Sequence, residues 1–262
     1  MTQTPDTRPP EAPTPTDAAP SAMAEIIDTV RTIAVALAAA VAIQTVAFQP
    51  FTIPSASMEP GLVVGDYLVV SKFAYGWSRA SLPFNPTLPA GRLFEHLPRR
   101  GDVVVFRRPS NPQETWIKRV IGLPGDTVSV SGGVVTVNGQ ALSQRALGPG
   151  LDLDAPARPV EQVEERQADG RTYITFDAGH GLEGDDRPAR IVPEGQLFVM
   201  GDHRDNSLDS RWSGDVGVGL LPVTNVVGRA ELVVASWKPG ASLWKPWTWF
   251  NLRPGRIAHR IR

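Results

Sequence analysis

The chain has 262 residues, enough for one large domain or two small ones. Its 26 basic and 27 acidic residues nearly cancel, and with a pI of about 6.4 this excludes the basic footprint of a nucleic-acid binder. Cysteine is absent, which excludes disulfides, thiol nucleophiles, iron–sulfur clusters and cysteine-ligated zinc together.

The chain opens on residues 1–23, where Pro5, Pro9, Pro10, Pro13, Pro15 and Pro20 stand among Thr, Ala and Asp. Such a segment cannot bury enough apolar surface to offset the entropy of ordering, and it reads as a disordered tail. The composition then flips: from Thr32 to Met58 no residue is charged. The stretch TIAVALAAAVAIQTVAFQPF is rich in helix-forming Ala and Leu and has no Gly or Pro before Pro50. Residues 24–50 are therefore predicted as a membrane-spanning helix, since crossing a bilayer takes ~20 apolar residues. A buried soluble helix and a cleaved signal peptide are the competing readings; a signal peptide has a shorter apolar region and a shorter, less acidic lead. Arg8 and Arg31 precede the span and the next basic residue is Lys72, which places the N-terminus in the cytoplasm by the positive-inside rule.

Beyond residue 50 the pattern is β, as 25 prolines and 24 glycines already suggest. GDYLVVSK (65–72), DVVVFRR (102–108), WIKRVIG (116–122), DTVSVSG (126–132) and VVTVNGQ (134–140) are short, rich in β-branched residues and bounded by turn signals. RTYITFD (171–177), GQLFVMG (195–201) and NVVGRAELVVASW (225–237) repeat the pattern. Residues 141–170 and 178–194 are polar and turn-rich, and read as loops and an inserted lobe; 77–98 is a second Pro-rich excursion. The end of the chain carries Trp237, Trp244, Trp247 and Trp249, followed by Arg253, Arg256, Arg260 and Arg262. That mixture suits either a membrane interface or core packing with a solvated tail.

Three segments hold candidate chemistry. In FTIPSASMEPGL (51–62), Ser57 is either a turn former or a nucleophile on a rigid turn between Pro54 and Pro60. In WIKRV, period-2 alternation puts Lys118 on one face with Trp116 and Val120, while Ile117 and Ile121 face the other way. A lysine on a strand buried on both faces either snorkels or pairs, with Glu114 or an aspartate, or else loses its proton and becomes a general base. MGDHRDNSLDSRWSG (200–214) gathers short polar side chains at a strand end. It lacks the glycine and distal glutamate of a calcium loop, and no G-x-S-x-G elbow supports a Ser-His-Asp reading of His203.

Together these segments resemble bacterial type I signal peptidases, membrane-bound serine proteases that remove signal peptides from exported proteins. PSASMEPGL (54–62) with GDYLVVSKFAYG (65–76), RGDVVVFRRP (100–109) with WIKRVIGLPGD (116–126), and GDHRDNSLDSRWSG (201–214) match the family's boxes in order, after an N-terminal span. The resemblance implies a mostly β fold: a barrel-like, coiled antiparallel catalytic sheet in two parts, 51–140 and 195–262, with an inserted β-rich lobe at 141–194. It implies Ser57 as nucleophile, Lys118 as general base, and an oxyanion hole from the Ser55 hydroxyl and the Ser57 N–H. Ser207 matches the serine that orients the lysine amine. Asp209 and Arg211 match an ion pair beneath the site, with Asp202 and Arg204 alongside. Phe51, Ile53, Pro54, Met58, Leu62, Val105, Trp116 and Ile117 are expected to flank shallow pockets for small side chains at the −1 and −3 positions of an Ala-x-Ala-like site. The expected partners are signal-peptide-bearing preproteins and the lipid bilayer, with no nucleic acid, metal or organic cofactor. The expected location is the bacterial inner membrane, single-pass, with the catalytic domain outside. Three departures stand out: His203 where asparagine is common, Trp116 near a usual tyrosine, and one span where two are frequent. A related Ser-Lys processing protease of pilin or conjugation type, and a non-enzymatic membrane-anchored β module, are the alternatives.

Overall fold

The computed structural model describes residues 22–82, 86, 91–241 and 245–261. The expected disordered tail thus lies almost wholly outside the described residues, as do most of 83–90, Trp244 and Arg262. The chain divides into two compact units, ending and starting at Ala42 and Ile43. The helix α1 (Ala22–Val46) has 25 residues and buries none of them against protein. At 1.5 Å per residue it is about 37 Å long, which exceeds a hydrocarbon core of ~30 Å. It stops before the predicted end at residue 50, because Phe48–Thr52 is a strand instead. Pro50 fits there, since this strand pairs on one side alone and leaves one edge where a missing N–H costs nothing.

The strands follow in chain order. β1 (Phe48–Thr52), β2 (Asp66–Ser71), the short β3 (Trp77–Ser78) and β4 (Arg92–Leu93), β5 (Val103–Arg107) and β6 (Thr115–Gly122) come first. β7 (Thr127–Ser131), β8 (Val134–Val137), β9 (Gln140–Ala141), β10 (Ser143–Pro149), β11 (Glu161–Arg166), β12 (Thr172–Asp177) and β13 (Arg187–Ile191) come next. β14 (Gln196–Met200), β15 (Leu221–Pro222), β16 (Val226–Ser236) and β17 (His259–Arg260) end the series.

The main sheet runs β1-β2-β16-β5-β6-β14-β15, with β17 beside β16, and its pairs are antiparallel. Register shifts along β16 at Val226/Gly228, Ala230/Leu232 and Val233/Ala235 bend it and coil the sheet. Its outer strands β1 and β15 do not pair with each other among the described residues, so the sheet is coiled and open rather than a closed barrel. Each face carries a core. Leu68, Val70, Val105 and Ile117 lie in one cluster, Val104, Phe106 and Val120 in another.

Residues 141–194 hold more regular structure than their composition suggests. β10, β11 and β12 form one small sheet, and β13 joins β7, β8 and β9 of the preceding segment in another. The sequence predicts loops over β10 and β11 because their side chains are polar; β10 is mostly exposed and β11 buries the charged Glu165, so no hydrophobic alternation marks them.

Candidate active site

Ser57 sits in a single 3-10 turn, Ala56–Met58, between Pro54 and Pro60. The turn is closed by Glu59 N–H to Ala56 O at 2.9 Å, and continued by Leu62 N–H to Met58 O at 2.8 Å. Ser55 occupies the position before the turn in extended conformation but makes no capping bond. Its hydroxyl instead lies 3.4 Å from Ser57 Oγ. The first N–H groups of such a turn have no acceptor within it, and the Ser57 N–H is one of them. Ser55 O–H and Ser57 N–H are thus two donors next to one hydroxyl.

Lys118 lies at the middle of β6, opposite Val104. Trp116 and Val120 share its face and both faces of the strand are covered, which leaves Lys118 4 % exposed. Its Nζ donates to Ser57 Oγ at 2.7 Å and to Ile117 O at 3.1 Å. No carboxylate forms an ion pair with it among the described residues, so the Glu114 alternative is not realised; Glu114 binds Arg108 and the Trp116 indole. Burial pulls the amine down from 10.5 to about 8. Asp209 and Asp202 pull it back up, and Arg211 opposes them. A neutral amine at hydrogen-bond distance from a hydroxyl is a base placed to take its proton.

The 201–214 segment packs against this turn. Gly201 leaves no room for a side chain: a Cβ there would come within 2.3 Å of Ser207 Oγ and 2.5 Å of Ser57 O. Asp209 binds Arg211 at 2.9 Å and accepts the Gly201 N–H at 3.0 Å. Asp202 and Arg204 do not pair with each other. Asp202 takes a two-pronged bond from Arg119 at 2.7 and 2.6 Å, and Arg204 pairs with Glu165 of β11. Arg119 also stacks over the Tyr173 ring at 4.1 Å. Sequence reading missed Arg119 and Glu165. Only the alternation that buries Lys118 on one face, and so turns Arg119 to the other, hinted at the first.

Two expectations need correction. No Lys118–Ser207 bond forms. The Ser207 hydroxyl is buried without a hydrogen bond of full geometry, although it lies near enough to help hold the Asp209 carboxyl below its usual range. Met58 and Val105 are not pocket walls but are sealed inside the core cluster that supports the turn, and Leu62, as deeply covered, meets a cavity shared with Arg119 and Tyr173 rather than with Ser57 or Lys118. Ile53 and Ile117 are almost as covered, while Phe51, Pro54 and Trp116 keep surface toward solvent.

The family model for signal peptidase, peptidase S26, matches residues 26–237. The chain belongs to this family. The signal peptidase I of Rickettsia typhi (strain Wilmington) is 35% identical over 207 residues, 76% of each chain. That of Rickettsia canadensis (strain McKiel) is 34% identical over the same share. A crystal structure of a signal peptidase I from Enterococcus faecalis V583 is 29% identical and covers 51% of this chain and 97% of its own, with a TM-score of 0.31, too low to bear on the fold. The family match spans all three segments of the chain that meet at Ser57: the turn, β6 and the 201–214 loop.

Proposed function

We propose that Ser57 is the nucleophile and Lys118 the general base of signal-peptide removal, the activity of the family to which this membrane-anchored serine peptidase belongs. The observation that carries the reading is the 2.7 Å contact from Lys118 Nζ to Ser57 Oγ, made by an amine with no carboxylate partner among the described residues. At pH 7 a group at about 8 is neutral in roughly a tenth of molecules, against about one in three thousand at 10.5. The neutral Nζ accepts the Oγ proton as Oγ bonds to the scissile carbonyl carbon. The carbonyl oxygen gains the negative charge and is met by the Ser55 O–H and the Ser57 N–H. Lys118 then returns the proton to the departing amine, which frees the mature protein and leaves an ester on Ser57. Water enters and gives a proton to Lys118 Nζ as its oxygen bonds to the ester carbon, and Lys118 returns that proton to Ser57 Oγ as the ester bond breaks and the signal peptide leaves with a new carboxyl end.

Substrate is read as an added strand. β1 is an outer strand, and β14 pairs with β6 only from Arg119 onward, so the edges near 52–56 and 115–118 are open for main-chain bonds. Phe51, Pro54 and Trp116 border that space, and the tightly covered Ile53 and Ile117 leave only shallow hollows. Small −1 and −3 side chains follow. Ser57 comes eleven residues after Val46, the end of α1, so chain length keeps it within about 36 Å of that helix end. Arg8 and Arg31, ahead of the uncharged run that starts at Thr32, favour an inner-membrane anchor with the catalytic domain on the outer face. Trp247 and Phe250, 75% and 87% exposed, are proposed to enter the lipid interface. Incubation of the full chain in lipid with a preprotein tests the reading. A product shortened at an Ala-x-Ala-like site, lost in Ser57→Ala, is expected; cleavage that persists in Ser57→Ala removes Ser57 from the role.

A further inference from the structure

We propose that Asp152, in the inserted lobe, is a positioning residue for the reaction: the loop it organises grips the Ser57 turn from two sides. The proposal rests on Ser57 as nucleophile and assigns part of its placement to a segment distant in sequence.

The first side runs through His203. The Ser57 carbonyl accepts the His203 N–H at 3.2 Å. The His203 ring is wholly buried, with its edge toward Phe176 at 5.6 Å between centroids. Its Nδ1 has no hydrogen-bond partner, while its Nε2 lies 3.1 Å from Asp152 Oδ2. Among the described residues, Asp152 is thus the one polar group hydrogen-bonded to the ring of a residue whose backbone holds Ser57. The second side runs through Glu59, two residues after Ser57. Its buried carboxylate accepts the Leu153 N–H at 3.0 Å. Neighbouring lobe residues, 152 and 153, therefore reach the Ser57 carbonyl, through His203, and the carboxylate of Glu59 just after the turn.

The loop is built to hold this shape. Asp152 Oδ1 accepts the N–H groups of Asp154 and Ala155 at 3.0 and 2.9 Å, which ties its side chain to its own turn. Arg158 adds a cation 3.4 Å from Oδ2. Just upstream, a Cβ on Gly150 would stand 2.7 Å from the Phe176 ring, so the loop begins pressed against it. Phe176 in turn donates its N–H to Asp202 O at 2.9 Å, beside His203. The dyad contact is a single 2.7 Å bond, and a misplacement of ~1 Å in such a contact costs about a hundredfold in rate. Asp152 touches neither Ser57 Oγ nor Lys118 Nζ in any recorded bond. Its effect is on where the hydroxyl sits, and so on kcat rather than on substrate binding.

The experiment compares the full chain in lipid with Asp152→Ala, Asp152→Asn, His203→Asn and Ser57→Ala on one preprotein. It also follows amide hydrogen exchange over 54–62. Asp152→Ala is expected to lower kcat between ten- and a hundredfold, with KM within twofold and faster exchange confined to the 54–62 turn and the 150–156 loop. Asp152→Asn keeps the bonds to Asp154 and Ala155, and it should recover part of that loss. An Asp152→Ala protein with kcat within twofold of the parent overturns the latch, as does a loss that appears in KM alone. Should Asp152→Ala fail to fold, His203→Asn reads the same link from its other end: a kcat loss with unchanged KM supports it, and parental kcat overturns it. Cleavage by Ser57→Ala would instead remove the nucleophile reading itself, whatever the Asp152 variants do.

Discussion

Two lysines are buried in this protein, and their comparison shows what burial alone does and does not make. Lys72 is 1 % exposed and Lys118 4 %, and both amines are brought down to about 8 by loss of water. The Arg107 cation adds to the Lys72 shift. The difference is the partner. Lys72 Nζ donates to the Thr45 carbonyl at 3.3 Å, whereas Lys118 Nζ meets a hydroxyl at 2.7 Å. A carbonyl has no proton to give, so a depressed amine beside it is a structural group. A depressed amine beside a hydroxyl is half of a reaction. Lys118 also differs from its chain neighbour Arg119, which turns to the opposite face, is buried as deeply, and is clamped by Asp202. On adjacent residues of one strand, pairing makes a permanent charge and the lack of pairing makes a removable one.

The largest expected effect breaks the symmetry of the two lysines. Lys118→Arg should lower kcat/KM by at least a thousandfold, within the ~10²–10⁴ that a general base supplies. Lys72→Met should leave it within about threefold, because only a ~1 kcal/mol hydrogen bond is lost. Equal losses in a preprotein-cleavage assay would show that dryness, and not the hydroxyl, defines the site.

The next effect falls on stability. Asp202→Asn strands Arg119 without its counter-charge in the interior, where breaking one side of a buried pair costs about 3–5 kcal/mol. Denaturant unfolding in detergent measures it. A change below about 1 kcal/mol would mean that Arg119 finds water or another acceptor, and that the cluster beneath the dyad is not its foundation.

These contrasts explain which parts of the site are legible in the sequence. β2, β5, β6 and β16 announce themselves because each buries apolar residues in a pattern that the chain repeats. Lys118 is legible for the same reason, as a charge in the wrong pattern. β10 and β11 are not, since a sheet wet on its outer faces has no alternation to read. Partners are the least legible. Arg119 and Asp202 are 83 positions apart, Arg204 and Glu165 are 39 apart, and composition does not say which acid meets which base. Asp202 and Arg204 stand two positions apart in the sequence, yet both are taken by residues from elsewhere. Met58, Leu62 and Val105 illustrate the remaining blindness: an apolar residue near a nucleophile reads the same whether it floors the site or borders it.

A smaller effect follows from the cost of keeping Lys118 dry. Its folded value is below its unfolded one, so between about 8 and 10.5 the unfolded chain holds a proton that the folded chain does not. Stability therefore rises with pH across that window, and the penalty is complete below it. A drop from 10.5 to about 8 corresponds to about 3 kcal/mol. Lys118→Met, inactive, should be more stable than the parent at pH 7 by up to that amount, and the gain should vanish by pH 10.5. Lys72 is present in both proteins, so its own titration cancels. A variant no more stable at pH 7 would mean that the parent amine is not desolvated.

The finest test is the pH profile. If the neutral amine is the reactive form, kcat/KM falls about tenfold for each pH unit below about 8 and levels above it. The midpoint belongs to Lys118 and not to Lys72, so Lys72→Met must leave it in place. The charges of the pair beside Lys118 push in opposite directions: Asp209 raises its value and Arg211 lowers it. Arg211→Met would leave the Asp209 carboxylate uncompensated, hold the lysine's proton more tightly, and move the midpoint to higher pH. A midpoint that stays near 8 in that variant would show that the Asp209–Arg211 pair carries no field to the amine, and that burial alone sets where the base begins to work.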